Sequence, residues 1–277
     1  SAAMVDQLLQ ANHSGKALSP SALNSYLLCS LKFYFRYVAG LKEPDEVSED
    51  IDRQVFGILL HKALENLYDP YTCKTLGKSD FSKLTADKAG IKKAILQAFT
   101  TEYFKKPKEE WEKLPIGGKS LLILSTLESY IRNLLETDRE SAPLFIHALE
   151  KEFETCLEVE ADGWVRKIRI GGKVDRVDEI NGVIRVIDYK TGSLNAYDLQ
   201  FKSFEELFDR TKKNLKKEII QSLVYSCILK RDYYPEKTVQ AVVYSVINLK
   251  NESFDPAVRM NNQVYEMPAP ESELEKY

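Results

Sequence analysis

The residues most able to do chemistry lie at the end of a short apolar run between 183 and 190. If this run is a β-strand, its alternate side chains share one face, which begins with aliphatic residues and ends with Asp188 and Lys190. The rise per residue separates these two by about 7 Å along the strand. A carboxylate can hold a cation, and an ammonium beside it can act on a water or on a charged transition state. The pattern therefore indicates a candidate catalytic site.

A hairpin turn predicts what faces Asp188. Asn181-Gly182 is the strongest short-range hairpin signal, and a two-residue loop there makes the numbers of opposed residues sum to 363. Asp175 then faces Asp188 with Cβ atoms roughly 5 Å apart, and two like charges so placed call for a compensating cation. Hard carboxylate oxygens suit Mg²⁺ or Mn²⁺. Lys190 would orient or deprotonate the attacking water, or stabilise charge on a phosphorane-like transition state.

The same register places Asp178 opposite Arg185 on the other face of the sheet, as a satisfied ion pair. In an alternative interpretation the two opposed aspartates lie at a solvated sheet edge, where Arg176 or Lys173 would pair with them. The hairpin alone does not separate these interpretations.

Two predicted helices carry further candidates. His61 lies one turn from Gly57 and one turn from Glu65, and beside a carboxylate pair it becomes a candidate metal ligand. Gln221 and Tyr225 are one turn apart on a later helix. Taken alone, the first is more simply a structural histidine and the other two a polar fringe on a core helix.

The elements that must position these residues follow from periodicity and capping signals. Helices are predicted over 19–38, 51–68, 85–104, 119–138 and 204–233, with a loop at 41–50. Strands are predicted over 145–160, 164–179, 183–189 and 239–248, followed by a polar tail with a hairpin at Asn261-Asn262. This order predicts one α/β domain with a helical N-terminal elaboration.

Composition sets the broad class of the protein. The 277 residues, with 44% hydrophobic and 29% charged, are typical of an ordinary globular protein. No apolar stretch approaches the roughly 20 residues that cross a bilayer, so we expect a cytoplasmic protein without membrane contact. Ser1, Ala2 and Ala3 before Met4 resemble residues left by cloning, which suggests a piece of a longer protein.

Cysteines and charge exclude some sites. Cys29, Cys73, Cys156 and Cys227 show no CxxC spacing, which excludes a zinc site built on cysteines and indicates mostly buried thiols. The net charge of −3 excludes a strongly basic nucleic-acid-binding domain, so a DNA-contacting surface would be local. The lysines at 212, 213, 216 and 217 would gather on one side of a helix; the alternative is a solvated helix face.

These motifs, in this order, resemble the RecB/AddB-type nuclease branch of the PD-(D/E)XK superfamily, found as the C-terminal domain of helicase-nucleases. The resemblance is carried by His61, Gly-Gly-Lys-Val-Asp175-Arg, Val-Ile-Asp188-Tyr-Lys190-Thr-Gly and Gln221-Ser-Leu-Val-Tyr225. The start from Ser19 to Cys29 is also similar to the start of that domain. The resemblance implies a restriction-endonuclease-like α/β core with a central mixed β-sheet flanked by helices.

The resemblance also implies a domain organisation. Residues 1–17 would be cloning-derived residues and an N-terminal extension, and 251–277 a C-terminal tail. Residues 18–250 would be the nuclease domain, with a mainly helical part at 18–140 and the catalytic α/β core at 141–250.

Roles for individual residues follow from the resemblance. It implies that Mg²⁺ or Mn²⁺ is bound by His61, Asp175, Asp188 and the Tyr189 carbonyl, and that Lys190 is the catalytic lysine. Gln221 and Tyr225 match a helix motif near the DNA and the active site, and Glu150 or Glu152 is a further candidate acid. Many relatives hold an iron–sulfur cluster, but here no cysteine follows Cys227, so a cluster is not supported and Cys29 is expected to be a buried thiol.

The leading hypothesis is therefore a metal-dependent deoxyribonuclease, expected to be an exonuclease, that acts as the nuclease module of a DNA repair or recombination helicase. Its expected partners are DNA and a helicase domain or subunit. One alternative is a catalytically inactive DNA-binding or scaffold domain of a helicase complex. Another is a metal-dependent hydrolase of some other phosphate ester.

Overall fold

The N-terminal helices begin where the capping signals predict, but they are broken. A computed structural model describes residues 17–41, 52–114, 117–161, 164–211, 215–251 and 254–268. Helix α1 (Pro20–Leu28) starts at Ser19, whose hydroxyl accepts a hydrogen bond from the Ala22 amide. The predicted continuous helix over 19–38 is wrong, because Cys29 is extended and begins a second short helix, α2 (Ser30–Phe33), which a π-helical turn (Tyr34–Val38) follows. The predicted loop at 41–50 lies almost wholly outside the described residues.

Four helices form the layer that carries His61. They are α3 (Arg53–Tyr68), α4 (Lys78–Ala86), α5 (Lys88–Ala98) and α6 (Lys119–Ser141). The helices predicted over 51–68 and 119–138 are confirmed within a few residues. The single helix predicted over 85–104 is wrong: Asp87 ends α4 and caps α5 through the Gly90 amide, and α5 gives way to a π-helical turn (Phe99–Tyr103).

The central sheet is mixed, in the order β1-β2-β3-β4-β6. Its strands are β1 (Thr75–Leu76), β2 (Leu144–Ala161), β3 (Trp164–Ile180), β4 (Val183–Lys190) and β6 (Thr238–Ser245). Strands β2, β3 and β4 form an antiparallel meander, and β6 lies parallel to β4. The predicted hairpin register is confirmed from Ile180 opposite Val183 to Arg176 opposite Ile187.

The region predicted as one helix over 204–233 is also divided. It contains α7 (Phe204–Phe208), α8 (Lys217–Ile228) and a π-helical turn (Leu229–Tyr233). Lys216 precedes α8, and its ammonium donates to the Tyr197 and Gln200 carbonyls. The predicted gathering of lysines on one helix face is therefore wrong for Lys216, while 212 and 213 lie outside the described residues.

The C-terminal residues return to the core. Strands β7 (Arg259–Met260) and β8 (Gln263–Val264) form the predicted hairpin, and β7 pairs with the short strand β5 (Gln200–Phe201). Val258 and Met267 are buried. The last long strand ends at Ser245, earlier than the predicted 248. The domain boundaries stay a prediction.

Each face of the sheet has its own apolar core. Helices α3 to α6 pack with residues such as Ile187 and Tyr189, while α1, α7 and α8 pack with Val177, Val186 and their neighbours. The prediction of a mixed sheet flanked by helices is confirmed. In the described ranges no helix has the length and apolar character of a membrane span. The expectation of mostly buried thiols is wrong, since Cys29, Cys73 and Cys156 are exposed.

Candidate metal centre

Three side chains from three elements converge at one end of the sheet. His61 on α3 places Nδ1 3.4 Å from Glu150 Oε1 on β2 and 3.3 Å from Asp175 Oδ1 on β3. These ligand atoms all lie within 4.8 Å of one another. A nitrogen and two carboxylate oxygens at this spacing could hold one divalent cation.

The Tyr189 carbonyl orients the histidine. His61 Nε2 lies 3.0 Å from the Tyr189 oxygen, and a carbonyl only accepts, so Nε2 carries a proton and donates it. Nδ1 is then left facing the two carboxylates, which is the orientation that a metal-ligating histidine needs. Burial lowers the pKa of His61, but hydrogen bonds and charge from Asp175 and Glu150 outweigh it and raise this pKa to about 10.

A β-bulge selects Glu150 as the acid of β2. The pairing shifts by one residue between Ile146 and Ala148, so the flanking pairs put Glu150 opposite Asp175; without the shift Leu149 would stand there. Glu150 also has a φ of 45°, a conformation rare for a non-glycine residue and typical of functional sites. Of the two candidate acids, the structure brings Glu150 to the cluster, while Glu152 is exposed.

Asp188 lies beside this cluster, next to Lys190 and Gln221. Its Oδ1 accepts hydrogen bonds from Lys190 Nζ at 2.9 Å and from Gln221 Nε2 at 2.9 Å. Lys190 Nζ also lies 2.8 Å from Oδ2, but without hydrogen-bond geometry, so buried Oδ2 has no hydrogen-bond partner among the described residues. Burial and the charge of Asp175 raise the pKa of Asp188 to about 6, against the opposing effect of Lys190.

The two aspartates reach the site differently from the sequence prediction. The β3–β4 pairing ends at Arg176 opposite Ile187, so the expected direct pair of Asp175 and Asp188 is not formed in the ladder. Instead Asp175 Oδ2 accepts a hydrogen bond from the Tyr189 amide at 2.8 Å. The two carboxylates still raise the local negative charge together, because Asp175 acts on the pKa of Asp188.

The later helix brings Tyr225 against β3. A Cβ placed on Gly172 would lie 2.8 Å from the Tyr225 hydroxyl, so the absence of a side chain at Gly172 lets this tyrosine approach. Burial and the charges of Asp175 and Asp188 raise the pKa of Tyr225. The hydroxyl is therefore neutral and can donate a hydrogen bond.

Beneath the site lies a buried ionic network that sequence reasoning missed. Arg176 binds Asp138 of α6 through two hydrogen bonds of 2.6 and 2.7 Å and lies 2.7 Å from Asp178. Asp178 also binds Arg185 at 2.7 and 2.8 Å, as predicted, and Tyr68 donates to Asp138 at 2.5 Å. The alternative in which Arg176 pairs with the two site aspartates is wrong. Strand alternation could have put Arg176 and Asp178 on one face, but Asp138 comes from a distant helix.

The residues fit a hard divalent cation. The donor set is one imidazole nitrogen with carboxylate oxygens, and buried Asp188 Oδ2 has no hydrogen-bond partner among the described residues. The proton that Glu150 and Asp175 hold on His61 occupies the position where a cation would satisfy the same charges.

Comparison with known proteins agrees with this geometry. A family model described as the PD-(D/E)XK nuclease superfamily matches residues 17–277. The chain is 27% identical over 184 residues to one of the subunits of an ATP-dependent helicase/deoxyribonuclease from Streptococcus agalactiae serotype V, covering 66% of this chain and 15% of that protein. The protein of the same name from Carboxydothermus hydrogenoformans is 27% identical over 190 residues, covering 65% and 16%. The chain thus spans less than a fifth of the length of these curated relatives.

Proposed function

Because the chain belongs to the PD-(D/E)XK nuclease superfamily, we propose that it is a DNA nuclease that hydrolyses phosphodiester bonds with the help of Mg²⁺ or Mn²⁺. The observation that carries this proposal is the convergence of His61, Glu150 and Asp175 beside the Asp188–Lys190 pair. A domain that only binds DNA has no need for such a concentration of carboxylates, since they repel phosphate.

The residues of the site divide into two roles. His61, Glu150, Asp175 and the open oxygen of Asp188 would hold the cation. When bound, the cation would supply Lewis-acid polarisation of the phosphoryl oxygens.

Lys190 acts as an ammonium in this arrangement. Burial lowers its pKa, but the charge and hydrogen bond of Asp188 outweigh burial and raise it. Lys190 is therefore a hydrogen-bond donor that orients the attacking water and stabilises charge developing on the phosphate. Gln221 keeps the Asp188 carboxylate in place from α8, and the Tyr225 hydroxyl is available as a further donor.

The wider setting is also part of the proposal. The relatives are named as subunits of ATP-dependent helicase/deoxyribonucleases, which supports a role as the nuclease module of a helicase-nuclease in DNA repair or recombination. DNA and a helicase domain or subunit are the proposed partners. Exonuclease action, the Tyr189 carbonyl as a ligand and a cytoplasmic location stay predictions.

Metal-dependent release of nucleotides from DNA tests this function. We expect Lys190→Ala to lower cleavage by about a hundredfold or more and Asp188→Ala to abolish it, since each removes a positioned group. Lys167→Ala, on the distal part of the β2–β3 hairpin, is the matched control and should cleave normally. A linear substrate that is degraded while a closed circle resists would support exonuclease action.

Other outcomes would favour the alternatives. DNA binding without cleavage at any Mg²⁺ or Mn²⁺ concentration would favour an inactive DNA-binding or scaffold domain. Hydrolysis of small phosphate esters without cleavage of DNA would favour the other hydrolase.

A further inference from the structure

Lys173 makes an ion pair that the site chemistry above does not use. Its ammonium lies 2.5 Å from Glu150 Oε2, while Glu150 Oε1 faces His61. The Lys173 side chain is 56% exposed and that of Glu150 only 9%. A solvent-side cation thus holds one oxygen of a nearly buried carboxylate that belongs to the candidate metal centre.

This contact helps the site to neutralise itself without a metal. Glu150 and Asp175 bring two negative charges, and protonated His61 and Lys173 bring two positive charges. The hydrogen bond to Glu150 is the largest influence on Lys173 and raises its pKa, although burial acts against it. A divalent cation on the same oxygens would add two further positive charges, so it would repel Lys173 and weaken its pair with Glu150.

We propose that Lys173 is a displaceable counter-ion that neutralises Glu150 in the metal-free site and contacts a substrate phosphate once a cation takes Glu150. The inference deepens the proposed function and rests on it. A lysine suits both positions, because its ammonium is a compact charge on a flexible chain with three donors. Lys173 is anchored on β3 two residues before Asp175, so its ammonium borders the place where a phosphate would meet the cation.

The first arm of the test measures the metal without DNA. Mn²⁺ binding to the full chain is followed by calorimetry for the wild type, Lys173→Met and Lys167→Met. Lys167 is the matched control, because it pairs with Glu158 across the same hairpin at 3.4 Å and both side chains are exposed. We expect Lys173→Met to bind Mn²⁺ about two- to fivefold more tightly, the range of a surface ion pair that no longer competes. Lys167→Met should bind like the wild type.

The second arm measures DNA. All variants are placed in a Lys190→Ala background to suppress cleavage, and affinity for a DNA oligonucleotide is measured with Mn²⁺ over a range of salt concentrations. We expect Lys173→Met to bind more weakly, with a salt slope smaller by about 0.7 on single strands or 0.9 on duplex. Lys173→Arg keeps the charge and should keep the slope.

The two arms move in opposite directions, which a purely structural lysine would not produce. Weaker Mn²⁺ binding by Lys173→Met would show that the lysine only positions Glu150, and would overturn the inference. An unchanged salt slope, with normal DNA binding in the Lys190→Ala parent, would also overturn it while leaving the proposed function intact. Failure of that parent to bind DNA at all would overturn both.

Discussion

Removing Arg176 should destabilise the fold more than removing Arg176 together with its partner Asp138. Arg176 and Asp138 are both fully buried. Arg176→Met leaves Asp178 with its two bonds to Arg185, but leaves Asp138 with only the Tyr68 hydroxyl. The network then carries an uncompensated negative charge in the interior.

The magnitude follows from that charge count. Breaking a buried ion pair by removing one partner costs about 3–5 kcal/mol of unfolding free energy. Arg176→Met combined with Asp138→Leu restores neutrality, because the Arg185–Asp178 pair remains. The double variant then loses mainly the acceptor of the Tyr68 hydroxyl, which costs about 1–3 kcal/mol.

Urea denaturation of the wild type, the single variant and the double variant measures these free energies. Lys167→Met, which breaks an exposed pair on the same strand, is the control and should cost less than about 1 kcal/mol. A double variant that is less stable than Arg176→Met alone would refute the reasoning, since it would mean that packing or hydrogen bonding, and not the unpaired charge, dominates.

Three further outcomes are expected. Millimolar Mg²⁺ or Mn²⁺ should raise the melting temperature by mass action, and Asp175→Asn should remove most of that rise in thermal scans. In the metal-free protein, the His61 pKa rises from 6.5 unfolded to about 10 folded, so its stabilisation is complete below pH 6.5 and is lost as pH rises through 10; urea titrations should show this loss, and His61→Gln should flatten it. Gly172→Ala should displace the Tyr225 hydroxyl and lower cleavage in a nuclease assay by about ten- to a hundredfold, with unchanged Mn²⁺ binding in calorimetry.

Local signals predicted the strands and most helix starts. The Asn181-Gly182 turn determines the β3–β4 register because only two residues separate the strands. Helix continuity was predicted less well. Cys29 and Asp87 each end one helix and cap the next, and periodicity alone does not reveal such a break when apolar spacing continues across it.

The site was predictable in its parts but not in its assembly. Alternation along β4 put Asp188 and Lys190 on one face, and their contact in the structure follows from that. The choice of Glu150 over Glu152 depends on a bulge near Ile146, for which the sequence holds no separate signal.

By itself the sequence determined the chemistry-bearing residue types, the hairpin register and the order of helices and strands, because each depends on residues close together in the chain. Only the tertiary structure decided that His61 meets Glu150 and Asp175, that Asp175 binds the Tyr189 amide, and that Arg176 pairs with Asp138. These contacts join residues from different elements, and the packing of helices on both faces of the sheet sets their distances.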